Sequence, residues 1–539
     1  MNSTEIVLKP YWENGQVDRM VVSMCLKGIE VPEGETVCTM QVCTVTIPGC
    51  MPEYVKITDE EGEIPAETEK EKPYPYELVH WKAQRASKGT IRIEYLIRPR
   101  VLSPEAICGP YFDFRCEDGG ANTAGISILM EVKGADGPAL LHWDLEQMPQ
   151  GSRGVCTYGE GDAEAKDLET LRQSYFAMGL LHSIGEGDFG FYWLAEPKFD
   201  IKAVAEYTKN LFAYMQEFFH DTEKVYRIFV RKDPFLTSGG TALNRSYLFG
   251  WNETQPCSLE DRKAILAHEM VHNWPHLNDN PYGITTWYSE GTAEYYSVLL
   301  PLRLGLISED EAIAEMQKRT DQYYSNPTRE LENQEAAAIC WTERRAQRLS
   351  YGRGMIFLIN TDIRIRKATE GKHSIDDVVL DILEQGRAGK TLGNDVFLET
   401  VKRISGLDVT PEWERMRTGQ MFAPLSGGFD GRFAVEEKEI EEADTGRMVP
   451  SWTWKKVFRP ESMKHIRYVT WPAVSENGEN IAWVTYQGDM ETGAFPSQVH
   501  LRKDGKETVL ESRRTSVSDQ AAQDEVREQT EQTGRSAVE

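Results

Sequence analysis

Alternating apolar and polar positions dominate the first third of the chain. Arg19 to Leu26, Val37 to Ile47, Gly89 to Ile97 and Ala124 to Val132 show period-two patterns or β-branched runs, bounded by turn signals such as Pro32-Glu33-Gly34-Glu35. Residues 1–165 are therefore expected to form an all-β, sandwich-like domain, with the charged stretch Asp59 to Lys72 as an exposed loop. The period changes near Asp167. Ile201 to Phe219 repeats its apolar residues at helical spacing, Tyr226 to Val230 reads as a short strand, and from Glu309 to about Leu407 the pattern is mostly helical, with Ser308 as a cap. Residues 166–425 are read as a mixed α/β domain with a helical subdomain from about 305, and 426–510 as a short β-rich extension. Within that extension Val469 to Val484 reads as strand, turn, strand, one blade of a propeller-like repeat; a single blade cannot close a propeller. The polar end, 511–539, rich in Gln, Glu, Ser and Arg, is expected to be disordered. The fold class is multidomain α+β.

One helix carries chemistry. Ser258-Leu259-Glu260-Asp261 has the form of an N-cap, Ala264-Ile265-Leu266-Ala267 supplies helix formers, and Pro275 stops the helix. Between them lies His268-Glu269-Met270-Val271-His272. Two imidazoles four residues apart project from one face and can grip a single Zn²⁺, with Glu269 beside them as a base. A tetrahedral site of this kind needs a third ligand and an open position for water. Glu290, eighteen residues after His272 within Trp287-Tyr288-Ser289-Glu290-Gly291, is placed to be that ligand. Glu294, one turn further along the same predicted helix, can orient a ligating histidine. His276 follows His272 by four residues across Pro275 and without an intervening glycine, which does not match a three-histidine site; it reads as a loop residue.

His-Glu-x-x-His-x-Trp followed by Trp-x-x-Glu-Gly resembles the gluzincin aminopeptidases, both the aminopeptidase N family and the glycyl aminopeptidase family. Ser350-Tyr351-Gly352-Arg353-Gly354-Met355, then Asp362 to Arg366 and Thr369 to Asp377, are similar to the glycyl aminopeptidase pattern of Tyr-x-Lys-Gly, a helix and Ser-Leu-Asp-Asp. Arg353 stands in place of the usual lysine. The resemblance covers roughly 1–430 and is strongest from Ser238 to Asp377. It implies a thermolysin-like catalytic domain and peptide-bond hydrolysis, with zinc on His268, His272 and Glu290, Glu269 as general base and acid, and Tyr351 as hydrogen-bond donor to the oxyanion. Glycyl aminopeptidases commonly carry a PDZ domain after the helical region, but no Gly-Leu-Gly-Phe loop is present between Phe429 and Leu510.

A second departure concerns substrate choice. Both related families hold the free α-amine of a peptide with a glutamate upstream of the zinc helix. This chain has Ser238-Gly239-Gly240-Thr241-Ala242-Leu243-Asn244 there: Gly239 and Gly240 keep a strand edge for substrate binding, while Ala242 or Leu243 occupies the glutamate position. An ammonium group against an apolar side chain is left unpaired at a cost of several kcal/mol, on the order of other uncompensated buried charges. The expectation is endopeptidase or relaxed specificity. The alternatives are an aminopeptidase releasing small N-terminal residues, a hydrolase of another amide or epoxide, and an inactive peptidase fold that only binds.

Composition narrows the setting. Lys and Arg number 60 against 86 acids, a formal charge of −26, which argues against nucleic acid or an anionic membrane as partner and leaves peptides. No run approaches a membrane-spanning length, and the opening Met1-Asn2-Ser3-Thr4-Glu5 has no basic or apolar leader pattern, so a cytoplasmic protein is expected. No motif bears on oligomeric state. The nine cysteines are odd in number; Cys25, Cys38, Cys43 and Cys50 cluster without CxxC spacing and read as reduced thiols.

Overall fold

The computed structural model describes residues 2–44, 47–102, 109–235, 239–253, 258–457, 467–474, 481–487, 497–503 and 506–513. The chain divides into two compact units, Met1–Lys455 and Lys456–Glu539.

The first unit opens with β structure. A seven-stranded sheet has at its centre the hairpin Ser3–Glu13 and Gln16–Lys27, followed by Ile91–Ile97. Its turn, Asn14-Gly15, has positive φ at both residues (53° and 83°), as a two-residue hairpin requires. Along Gln16–Lys27 every second residue from Met20 to Leu26 is buried, which is the alternation visible in the sequence. A four-stranded sheet pairs Thr36–Thr44 with Tyr76–Ala83, and a five-stranded sheet places Tyr175–Gly179 between Gly120–Ala124 and Arg153–Cys156. Strands that pair with the N-terminal region thus continue past residue 165.

Two local expectations fail. Asp59 to Lys72 is not a loop: Gly62–Glu63 and Ala66–Glu71 are strands, the latter outermost in the four-stranded sheet and paired with Tyr76–Ala83. Its charged side chains are exposed, and they suit an edge that must not recruit another strand. Ala124 to Val132 is not a strand beyond Ala124. A 3-10 turn spans Gly125–Ser127, and a Cβ on Gly125 would lie 2.2 Å from Leu171 O, so the chain turns against its neighbour and buries Ile128, Leu129 and Met130 without alternation.

The next sheet has the order His182–Glu186, Phe189–Trp193, Tyr226–Lys232, Ser246–Trp251, Gly240–Leu243. Its two central pairings are parallel, and Gly240–Leu243 runs antiparallel at one edge. Helix Ile201–Phe218, capped by Asp200, packs on this sheet. The helices that follow include Leu259–Val271, Thr286–Leu304, Glu309–Tyr324, Leu349–Ala368, Ile375–Arg387 and Asn394–Ser405. Ser258 and Ser308 cap theirs in full capping boxes with Asp261 and Glu311. The hairpin Phe433–Glu441 and Met448–Lys456 begins the β-rich extension, and Trp454 fixes it by an indole bond of 2.8 Å to Thr320. No helix among the described residues is long and apolar enough to cross a membrane.

In the second unit the described residues form one antiparallel sheet in chain order: Arg467–Val474, Ile481–Gln487, Ser497–Lys503 and Lys506–Arg513. The expected turn between Val474 and Ile481 lies outside the described residues. Of the expected disordered end, Glu511 to Arg513 belong to the last strand and the remainder lies outside the described residues.

Helices Thr286–Leu304 and Leu349–Ala368 cross at two glycines. A Cβ on Gly354 would stand 2.1 Å from Trp287 O and 2.9 Å from Gly291 Cα, while one on Gly291 would stand 2.6 Å from the carbonyl carbon of Gly354. Backbone meets backbone, with no flexible side chain to move aside. Gly354→Ala is expected to force the helices apart and cost about 1–3 kcal/mol, the range for overpacking; urea denaturation of purified protein measures it.

Candidate active site

His268 and His272 occupy the last turn of Leu259–Val271, where His272 is the C-cap. Their rings are nearly perpendicular, at 83°, and their Nε2 atoms are 3.2 Å apart. Glu290, on Thr286–Leu304, brings Oε2 to 3.3 Å from the His268 Nε2 and 3.7 Å from the His272 Nε2. Four-coordinate zinc with bonds of about 2.0–2.1 Å separates its ligand atoms by about 3.3–3.4 Å, the edge of the tetrahedron. The observed spacings bracket that value. Glu290 Oε2 is buried and makes no hydrogen bond. Two imidazoles and a carboxylate are a donor set that zinc favours, so the residues present fit the ion.

The local charge balance points the same way. Burial opposes a charge on His268, but the Glu290 and Glu294 carboxylates outweigh it and push its pKa up to about 10, whereas burial takes His272 down to about 4. Buried carboxylates draw a positive charge into the cluster, and a cation between the three ligands would supply it.

Glu294 accepts from the His268 Nδ1 at 3.0 Å and pairs with the Arg319 Nε at 2.8 Å. Burial resists its ionisation, yet Arg319 and His268 lower its pKa to about 2. Arg319 sits on Glu309–Tyr324 and was not visible in the sequence pattern, because a contact across two helices leaves no trace in spacing. Glu269 points to the edge strand: its Oε2 accepts from Ala242 N at 3.1 Å, and burial raises its pKa to about 7.

Tyr351 lies parallel to the His268 ring, at 4° and 5.6 Å between centroids, with the Arg348 guanidinium 4.9 Å over its own ring. Burial pushes its pKa well up, so the phenol keeps its proton as a donor. Arg353 does not join this group. It is buried and donates to Arg329 O at 2.8 Å, Leu331 O at 3.0 Å and Asn333 Oδ1 at 2.7 Å, a fork that a lysine could not reproduce. Gly240 begins the edge strand, where a Cβ would meet the Tyr247 hydroxyl at 1.8 Å, and Gly239 donates its N–H to the Tyr111 hydroxyl at 2.9 Å. His276 is exposed in the loop, bonded to Trp274 O at 2.8 Å and outside the ligand group.

A cavity of about 90 Å³ opens beside Glu290 and Tyr351, with Thr286, Asn333, Cys340 and Gln347 among its walls. Among the described residues, Glu290 is the one acid that lines it. A larger cavity of about 420 Å³, between Phe357, Arg364, Glu412 and Phe422, shares no lining residue with the ligand group.

Residues 262–353 match the family model of the M61 glycyl aminopeptidases. The matched segment contains His268, Glu269, His272, Glu290 and Tyr351. No curated protein matches the sequence. Among solved structures, an aminopeptidase N family protein from Idiomarina loihiensis is similar over 95% of this chain and 96% of its own at 13% identity, with a TM-score of 0.64. Native yeast LTA4 hydrolase is similar over 78% of this chain and 69% of its own, again at 13% identity, with a TM-score of 0.50. At these identities the likeness concerns the fold.

Arg319→Met would leave Glu294 buried beside His268 without its cation. Metal affinity is expected to fall about 10- to 100-fold, as for other residues that orient a ligating histidine. Competition with a chelator reads it directly.

Proposed function

We propose that this protein hydrolyses peptide bonds, with Zn²⁺ held by His268, His272 and Glu290. The observation that carries the reading is the set of three ligand atoms at 3.2–3.7 Å from one another, with Glu269 next to His268 in the chain and tied to the edge strand. Zinc, when bound, supplies the Lewis acidity that makes water a nucleophile near neutral pH. Glu269 takes the proton from that water and delivers it to the leaving amine. The Tyr351 hydroxyl donates to the oxygen that gains negative charge, and Glu294 keeps His268 in its ligating orientation. A cytoplasmic location belongs to this reading: among the described residues Cys25, Cys38, Cys50, Cys116, Cys156 and Cys340 are free thiols, which suit a reducing compartment.

The test is zinc analysis combined with kinetics on a mixed peptide library. About one zinc per chain is expected, with activity lost on chelation and restored by the ion. Glu269→Gln should keep its zinc and lose activity by several orders of magnitude, and Tyr351→Phe should lower kcat by about 10²- to 10³-fold with little change in KM. Active protein free of zinc would sink the reading.

Within that activity we propose relaxed or internal cleavage rather than strict removal of N-terminal residues. Leu243 packs with the apolar cluster around Tyr111 and Tyr175, the Ala242 amide serves Glu269, and among the described residues the cavity wall offers no carboxylate besides Glu290. A substrate ammonium group therefore finds no counter-charge from these positions. One cleavable peptide in free and N-acetylated form decides it. Comparable kcat/KM for the two is expected, whereas loss of cleavage on acetylation, with single residues released, would make the enzyme an aminopeptidase.

A further inference from the structure

We infer that Tyr111 is a positioning residue: it holds the edge strand Gly240–Leu243 in place, so that an extended peptide can pair with that strand while Glu269 stays seated against it. The inference rests on the peptidase reading for its substrate. Neither the metal motif nor the Tyr-x-Arg-Gly stretch points to this tyrosine, which lies 157 residues before His268 and 240 before Tyr351 in the N-terminal part of the chain.

The strand has four residues, pairs on one side only, and follows another glycine, so little of its own keeps it ordered. Its main-chain groups alternate in direction. Ala242 N points away from the sheet to Glu269, and by that period Gly240 also turns its N–H and C=O to the open edge. These are the groups available to a peptide main chain.

Tyr111 grips the strand at two points. Its hydroxyl accepts from Gly239 N at 2.9 Å, and its own main-chain N donates to the Thr241 Oγ1 at 3.0 Å. The hydroxyl in turn donates to the buried carboxylate of Asp233, which is held by Arg115 at 3.5 Å. Arg115 and the fully buried Arg231 belong to the same group of charges, and Arg231 pairs with Asp113 at 2.5 Å. The clamp is tight. A Cβ on Gly250, in the neighbouring strand, would meet the Tyr111 hydroxyl at 2.4 Å and the Asp233 Oδ2 at 2.6 Å. Gly250 in turn donates its N–H to Gly239 O at 2.9 Å, so phenol, sheet and edge strand share one junction.

A tyrosine that merely fills the core would affect all ligands alike when its hydroxyl is removed. A strand-positioning tyrosine would affect long ligands alone. The experiment uses zinc-loaded full-length protein carrying Glu269→Gln, which binds without cutting. The probes are an N-acetylated alanine-rich octapeptide amide, long enough to run along the strand, and acetyl-alanyl-alanine amide, which is not. Adding Tyr111→Phe is expected to weaken the octapeptide about 10-fold, the equivalent of one or two hydrogen bonds, and to leave the short ligand within about 2-fold. Thr241→Val, which keeps shape and removes one acceptor, should act in the same direction and guards against misfolding of the first variant. Amide exchange at residues 239–243 should quicken in both variants while that of Leu259–Val271 is unchanged. Equal weakening of both probes, no weakening, or failure of the octapeptide to bind would overturn the inference. Length-dependent binding together with a wild-type enzyme that cleaves nothing would instead overturn the peptidase reading and leave the role of Tyr111 standing.

Discussion

The site depends on the place where helices Thr286–Leu304 and Leu349–Ala368 touch through Gly291 and Gly354. Glu290 stands one residue before the first glycine, and Tyr351 three residues before the second. Any side chain at the crossing would separate the two helices, and with them the Glu290 carboxylate and the phenol that lies against His268. The glycines in Trp-x-x-Glu-Gly and Tyr-x-Arg-Gly are thus the two halves of one contact. Arg353, between Tyr351 and Gly354 in sequence, points the other way and fastens its helix to the carbonyls of 329–331.

Around that contact the chain balances charge in a dry interior. Glu290 and Glu294 are both largely buried, and each would be costly alone. Arg319 answers Glu294, and His268 stands between the two carboxylates with one nitrogen toward each. What is left is a concentration of lone pairs on His268, His272 and Glu290 that a divalent cation can satisfy without rearrangement. The same burial that encloses the three candidate ligands keeps Tyr351 a neutral phenol and raises Glu269 toward neutrality, so one physical cause serves several groups.

The β-rich N-terminal part is more than a lid on the sequence map. Through Tyr111, Arg115 and Asp113 it shares a buried hydrogen-bond and ion-pair network with Arg231 and Asp233 at the end of the strand Tyr226–Lys232. That network ends at the strand whose Ala242 amide holds Glu269. Buried polar networks of this kind fix a single arrangement when every member is satisfied, which is what a substrate-aligning edge needs.

Residues close in sequence determined much of this protein by themselves. The spacing of His268, Glu269 and His272 follows from helical geometry alone, the caps at Ser258 and Ser308 from side chains three residues from their partners, and the stretch Arg19 to Leu26 of the strand Gln16–Lys27 from its alternation. Glu290 and Glu294 were legible from their spacing after His272 and from each other, whereas Tyr351 was legible only through the resemblance of its motif to Tyr-x-Lys-Gly. Where periodicity carried two meanings it misled. Asp59 to Lys72 is polar enough for a loop but is an edge strand, since its partner Tyr76–Ala83 supplies the pairing; Ala124 to Val132 is apolar enough for a strand but turns at Gly125, since the backbone at Leu171 leaves no room for a Cβ. Arg319, Tyr111 and the Ala242 amide belong wholly to the tertiary structure. Their partners lie 25, 128 and 27 residues away in sequence, at separations that no local period encodes, and only the packing of helices and sheet brought them together.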